Sequence, residues 1–146
     1  MLSAAIGVAL KDVNKVREKI HQMNKSEGPF AGIFSFRYVK GTKALLGFTQ
    51  FEFTCIIELD CVMSDAAYEF YIKVWNEIER LAIPFTFHWG KILDLNSSRI
   101  RNMYGHNIVD DWLKARNKLM RDAASMQVFT NDLMVQWGLD TILMNA

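Results

Sequence analysis

Residues 33–39 read Ile-Phe-Ser-Phe-Arg-Tyr-Val, and residues 51–60 read Phe-Glu-Phe-Thr-Cys-Ile-Ile-Glu-Leu-Asp. Both runs alternate large apolar and polar side chains with the period of two that a half-covered strand requires. Phe34, Phe36 and Tyr38 share one face of the first run, with Ser35 and Arg37 on the other. Phe51, Phe53, Cys55, Ile57 and Leu59 share a face of the second, leaving Glu52, Thr54, Glu58 and Asp60 opposite. Gly41 and Gly47 frame the connection, so the two runs are expected to be neighbours in one sheet.

Outward from these strands the period becomes helical. Leu10, Val13, Val16, Ile20 and Met23 recur at steps of three and four, and Gly28-Pro29 is expected to stop that helix. Ser64 is a favourable N-cap for a helix through about Leu81, with Tyr71, Val74, Trp75, Ile78 and Leu81 inward. Pro84 introduces a third strand from Phe85 to Trp89, ended by Gly90. A short helix is predicted from Ser97 or Ser98 to Gly105, a good residue just past a helix end. Asn107 with Asp110 opens the next, with Val109, Trp112, Ala115, Leu119 and Met120 inward. The tail from Gln127 reads as irregular. A few strands separated by helices predict an α+β fold, an antiparallel sheet with helices packed on one face.

The opening residues 1–10, MLSAAIGVAL, lack a basic flank and are too short for a bilayer span. They read as a linker, a remnant of a preceding domain, or a strand or helix end that packs on a neighbour. No repeat or Pro/Gly-rich linker divides the rest, so 1–146 reads as one domain.

At 146 residues and 51% apolar composition the chain can build a full core without staples. A net charge of +1 removes any general electrostatic case for nucleic acid. Cys55 and Cys61 stand at even spacing on one strand, too far apart to be bridged, and read as buried thiols in a reducing cytoplasm. Eight methionines follow the helical stripes and read as core filling.

Residues 85–91, Phe-Thr-Phe-His-Trp-Gly-Lys, bring an imidazole, an indole and an ammonium close together at a strand end. Gly90 would give the backbone freedom to bend, or room for a flat ligand. The plainer alternative makes Trp89 core, His88 an edge residue and Lys91 solvated. Arg37 and Glu58 lie on the polar faces of their strands, where they form either a weak surface pair or a polar site. His21, His88 and His106 are scattered, so no metal site is expected. No Gly-x-Ser-x-Gly, Gly-x-Gly-x-x-Gly or Gly-x-x-x-x-Gly-Lys occurs, which removes the usual nucleophile elbow and phosphate cradles.

Taken in order, Phe34-Ser35-Phe36-Arg37-Tyr38-Val39, the strand from Thr54 to Asp60, the helix from Ser64 and His88-Trp89-Gly90-Lys91 form a recognisable series. Met103-Tyr104-Gly105, the helix with Trp112 and Arg116, and residues 128–132 (Val-Phe-Thr-Asn-Asp) continue it. The series resembles the C-terminal domain of FAD-linked oxidases of the vanillyl-alcohol-oxidase superfamily, in the aldonolactone oxidase and alditol oxidase branch. His-Trp-Gly-Lys is its most specific element.

The resemblance implies a domain that covers the flavin ring with an antiparallel sheet whose polar side chains hold a small hydroxylated substrate. Arg37 would match the substrate-site arginine, and Lys91 would lie against the flavin and the substrate. Arg37, Glu58 and Lys91 are the candidate catalytic residues, Ser35 and His88 candidate substrate contacts, and Trp89 with Lys91 candidate flavin contacts. Glu58 stands where the alditol branch has a histidine, and Ser35 where it has an acidic residue, so polyol specificity does not carry over. FAD would be held mainly by a domain or subunit absent from this chain, which alone should be inactive. The implied partners are that flavin domain and the substrate. An apolar face is also expected near Phe87, Trp89 and the N-terminal segment, covered either in a homodimer or by the N-terminal segment folding back to leave a monomer; membrane association of the parent is left open. The alternative is a non-catalytic interaction or small-ligand-binding module on the same fold.

Overall fold

A computed structural model of the chain describes residues 1–26, 30–120 and 122–140. The order is β1 (Leu2–Ala9), a 3-10 turn (Leu10–Asp12), α1 (Val13–Ser26), β2 (Gly32–Lys40), β3 (Phe53–Cys61), α2 (Asp65–Arg80) and β4 (Phe85–Phe87). Four helices follow: α3 (Ser97–Tyr104), α4 (His106–Leu119), α5 (Ala123–Val128) and α6 (Asp132–Gln136). The residues group into two compact units, Met1–Lys43 with Gly47–Asp94, and Ala44–Leu46 with Leu95–Ala146.

In the first unit the strands form a four-stranded antiparallel sheet in the order β2-β3-β1-β4. The expected α+β fold is therefore present. The period of two sets the faces. Phe34 pairs with Leu59, Phe36 with Ile57 and Tyr38 with Cys55, while Ile6 pairs with Ile57 on one side and Phe87 on the other. These residues share one face of the sheet; α2 covers it at Leu59 and Phe87, α1 borders Phe34, Phe36 and Ile57, and Tyr38 stays exposed. Ala67, Phe70, Tyr71, Val74, Trp75 and Ile78 are buried on α2, with Trp75 set edge-on to Phe87 at a ring separation of 4.9 Å. Phe30 stacks between Phe34 and Phe70, at 5.0 and 5.2 Å. Ser64 caps α2 as expected, its hydroxyl accepting from the Ala67 amide at 3.2 Å.

Both cysteines are free and buried. Burial raises the Cys55 thiol and the Tyr71 phenol above their ordinary values, which keeps both protonated. The Tyr71 hydroxyl donates to the Leu59 carbonyl at 2.7 Å and lies 3.1 Å from the Cys61 sulfur, tying α2 to β3.

Residues 1–10 correct the linker reading. Leu2–Ala9 is an inner strand, paired with β3 along its length and with β4 at Ile6–Val8. Its small side chains Ser3, Ala5, Gly7 and Ala9 alternate with Leu2, Ala4, Ile6 and Val8. With so little polarity in the alternation, the usual strand signature fades. Gly7 is required by close approach: a Cβ there would stand 2.6 Å from the Phe48 carbonyl oxygen and 2.9 Å from Thr86 Oγ1.

The same strand overturns the expected apolar docking face. Phe87 is fully buried against Trp75, residues 2–9 lie within the sheet, and Trp89 is only half-buried. Leu10 stands in the 3-10 turn and is exposed, so α1 buries only Val13, Val16 and Ile20. The helix stop expected at Gly28-Pro29 lies outside the described residues.

In the second unit Asn96 caps α3 by accepting from the Arg99 amide at 2.9 Å, and Gly105, at φ +85°, separates α3 from α4. The expected opening of α4 by Asn107 and Asp110 is corrected. The helix begins at His106 with no side-chain cap, and Asp110 instead accepts from Arg101 at 2.8 Å. Its buried stripe is Val109, Leu113 and Arg116; Trp112 is half-buried, and Ala115 and Leu119 are exposed. Hydropathy misses this phase because a buried member is charged. The Arg116 guanidinium is satisfied by Thr130 Oγ1 at 2.6 Å and the Phe129 carbonyl at 3.2 Å. The tail is likewise not irregular: α5 and α6 start at the capping side chains of Asp122 and Asn131. Neither helix buries a residue, so no apolar period announces them.

Candidate functional site

The face of the sheet opposite α2 carries a polar cluster centred on Glu58. In the β2–β3 register Ser35 stands directly opposite Glu58 and Arg37 stands opposite Ile56, one diagonal step away. On the other flank Ala5 of β1 is opposite Glu58 and Ser3 is opposite Asp60. Strand parity alone thus brings Ser35, Arg37, Glu58, Asp60 and Ser3 to one face.

Lys91 reaches this face from the turn after β4. The His88 amide donates to the Ala5 carbonyl at 3.0 Å, and the Ile92 amide donates to the Ser3 carbonyl at 2.9 Å. These two anchors on β1 fix the ends of the turn. The Lys91 ammonium donates to Glu58 Oε1 at 2.6 Å and lies 3.9 Å from Asp60 Oδ1. Because Ala5 is small, the lysine passes over β1 to reach β3.

Glu58 accepts on both oxygens. Oε2 receives the Ser35 hydroxyl at 2.9 Å, the Arg37 Nε–H at 3.1 Å and an Arg37 Nη2–H, while Oε1 takes Lys91. Its side chain is only 6% exposed, whereas that of Arg37 is 64% exposed and that of Lys91 21%. The Arg37 guanidinium, then Lys91 and Ser35, hold the Glu58 carboxyl down at about 2 against the opposing effect of burial. The same contact raises Arg37. Glu58 is therefore an anion at neutral pH and a poor proton acceptor there. Its chemistry is to orient two cations.

Of the residues singled out in the sequence, Arg37, Glu58, Lys91 and Ser35 meet in direct hydrogen bonds. His88 turns elsewhere: its ring packs on Phe48 at 4.7 Å and its Nδ1 accepts from the Gly90 amide at 3.0 Å. Trp89 is half-buried within the turn. Gly90 has no left-handed φ, and a Cβ there would meet only the His88 ring, at 3.4 Å. Backbone freedom is thus not what the position supplies.

The sequence reading missed Ser3, whose hydroxyl donates to Asp60, and the role of Ala5. The signal that could have found them is the small-residue alternation in β1. Among the described residues no group of three His, Cys, Asp or Glu side chains could hold a metal ion. No helix among them is long and apolar enough to cross a membrane. No protein-family model matches the chain, and no match is found among curated proteins.

Proposed function

We propose that this chain is the substrate side of an FAD-dependent oxidoreductase acting on a hydroxylated carbon of a sugar, lactone or related alcohol. The observation that carries the reading is the meeting of Arg37, Lys91 and Ser35 on the buried Glu58 carboxylate, on one polar sheet face. The donor set suits the group. A flavin that takes a hydride gains negative charge at its ring edge, and a fixed ammonium with a part-exposed guanidinium would stabilise that charge.

When bound, FAD would supply the hydride acceptor: the alcohol carbon becomes a carbonyl, its hydroxyl proton passes to solvent, and dioxygen or another two-electron acceptor restores the cofactor. Arg37 binds and orients the substrate oxygens, Lys91 meets the developing charge, and Glu58 holds both cations at fixed positions. Since Glu58 stays ionised, it takes no proton from the substrate. The diphosphate of FAD is held by a separate domain or subunit, and the two buried free thiols fit a reducing cytoplasm.

The experiment is co-expression with the Gly-rich flavin-domain coding sequence sought beside this one, followed by anaerobic mixing with a panel of sugars, lactones and polyols. Lys91→Met should slow flavin reduction by on the order of a hundredfold, as for loss of one charge-stabilising donor. Equal rates in K91M, R37A and the unaltered protein would overturn the reading. A second reading, a non-catalytic interaction or ligand-binding module, is favoured by one observation: the apolar docking face expected at Phe87 and residues 1–10 is buried inside the sheet.

A further inference from the structure

The turn that delivers Lys91 is closed twice by one residue. The Lys91 amide donates to the His88 carbonyl at 3.2 Å, completing a four-residue turn. The His88 ring then reaches forward, and Nδ1 accepts from the Gly90 amide at 3.0 Å. A side chain that accepts from the backbone two residues on is the bond that gives asparagine and aspartate their preference for turns. Here an imidazole makes it. The ring is itself held, against Phe48, whose own carbonyl accepts from the Thr86 hydroxyl on β4.

We propose that His88 is the positioning residue for Lys91: through the Gly90 amide, its Nδ1 fixes the turn so that the ammonium lands on Glu58. Three facts converge on this. Gly90 adopts no conformation that needs glycine, so its amide, rather than its flexibility, is what the turn uses. The turn is tethered on both sides to β1, at the Ala5 and Ser3 carbonyls, so its freedom lies between those anchors, at residues 89–91. The bond from the Lys91 ammonium to Glu58 is 2.6 Å, a contact that a small rotation of the turn would break. Accepting at Nδ1 also fixes the neutral tautomer, with the proton on Nε2. His88 acts through Lys91 rather than on substrate. The use made of the placed ammonium rests on the flavin reading, but the placement does not.

The test therefore uses the chain alone, without flavin. Asparagine carries its Oδ1 on Cγ, as histidine carries Nδ1, whereas glutamine moves the acceptor one bond further out. The variants are His88→Asn, His88→Gln and His88→Leu. The readout is the rate of Lys91 acetylation by acetic anhydride, followed by mass spectrometry and divided by that of the exposed Lys15 on α1. An ammonium bonded to a buried carboxylate, with only 21% of its side chain exposed, is shielded from the reagent, and a turn that shifts uncovers it. H88N should keep the ratio of the unaltered protein, while H88Q and H88L should raise it by on the order of fivefold, the effect of one neutral hydrogen bond. The Lys15 rate, which reads general loosening, should not move. Equal ratios in H88N and H88Q would overturn the proposal, and so would an unchanged ratio in H88L. If H88L fails to fold, the two amide variants still decide. Failure of flavin reduction in the co-expression experiment bears on the use of Lys91 and leaves this result standing.

Discussion

Replacing Glu58 by glutamine keeps the shape of the side chain and removes the charge on which Arg37 and Lys91 converge. The carboxyl is drawn from an ordinary 4.5 to about 2. At 1.36 kcal/mol per pKa unit, that preference for the ionised form corresponds to about 3 kcal/mol. Arg37 supplies the largest share through a side chain that is 64% exposed, and solvent screens such a pair. The expected loss at neutral pH is therefore about 1–2 kcal/mol. Its pH dependence has a fixed sign. The folded carboxyl titrates below the unfolded one, so the contribution is complete above about 4.5 and fades as pH falls towards 2. Urea unfolding of E58Q and the unaltered protein, at pH 7 and at several values down to 2.5, measures this directly. The two stabilities should differ at neutral pH and draw together in acid. A neutral-pH difference of zero, or one that persists undiminished in acid, would refute the account of Glu58 as an ionised clamp.

Gly7→Ala should lower the thermal midpoint strongly, because the added Cβ meets a backbone carbonyl that can move only with the Phe48 loop; a cost of at least about 2 kcal/mol is expected in chemical denaturation. Arg116→Leu should unpin the segment at Phe129 and Thr130, read as faster amide hydrogen exchange over residues 123–130, with a cost of about 1–3 kcal/mol. The isolated chain should pass through gel filtration with free FAD and retain none, shown by the absence of flavin absorbance in the protein peak, because its sequence holds no glycine-rich diphosphate cradle.

The polar cluster was legible because strand parity is a strong constraint. Once Phe34-Phe36-Tyr38 and Cys55-Ile57-Leu59 share a face, Ser35, Arg37 and Glu58 must share the other. The position of Lys91 was not readable in this way. It depends on β1, whose residues alternate in size but without the polar contrast that marks a half-covered strand, and which supplies the two carbonyls that tether the turn. The α4 stripe was misphased for a different reason. Arg116 counts as polar in any hydropathy pattern, yet it is buried because its donors are matched by groups thirteen and fourteen residues further on. The helices at α5 and α6 rest on the local caps Asp122 and Asn131, and caps without a following apolar stripe are easily read as loop.

The inner position of β1 also governs how the sheet can be assembled. Leu2–Ala9 leads the described chain, yet its partners are β3 and β4, so every rung it forms closes a long loop. During synthesis this strand emerges well before Phe53–Cys61 exists to pair with it, with Leu2, Ile6 and Val8 uncovered and both backbone edges free. Such a segment is a site for capture by chaperones, or for exchange between two copies of the chain whose first strands find each other's sheets. The topology implies slow refolding dominated by distant contacts, and a yield that falls as concentration rises.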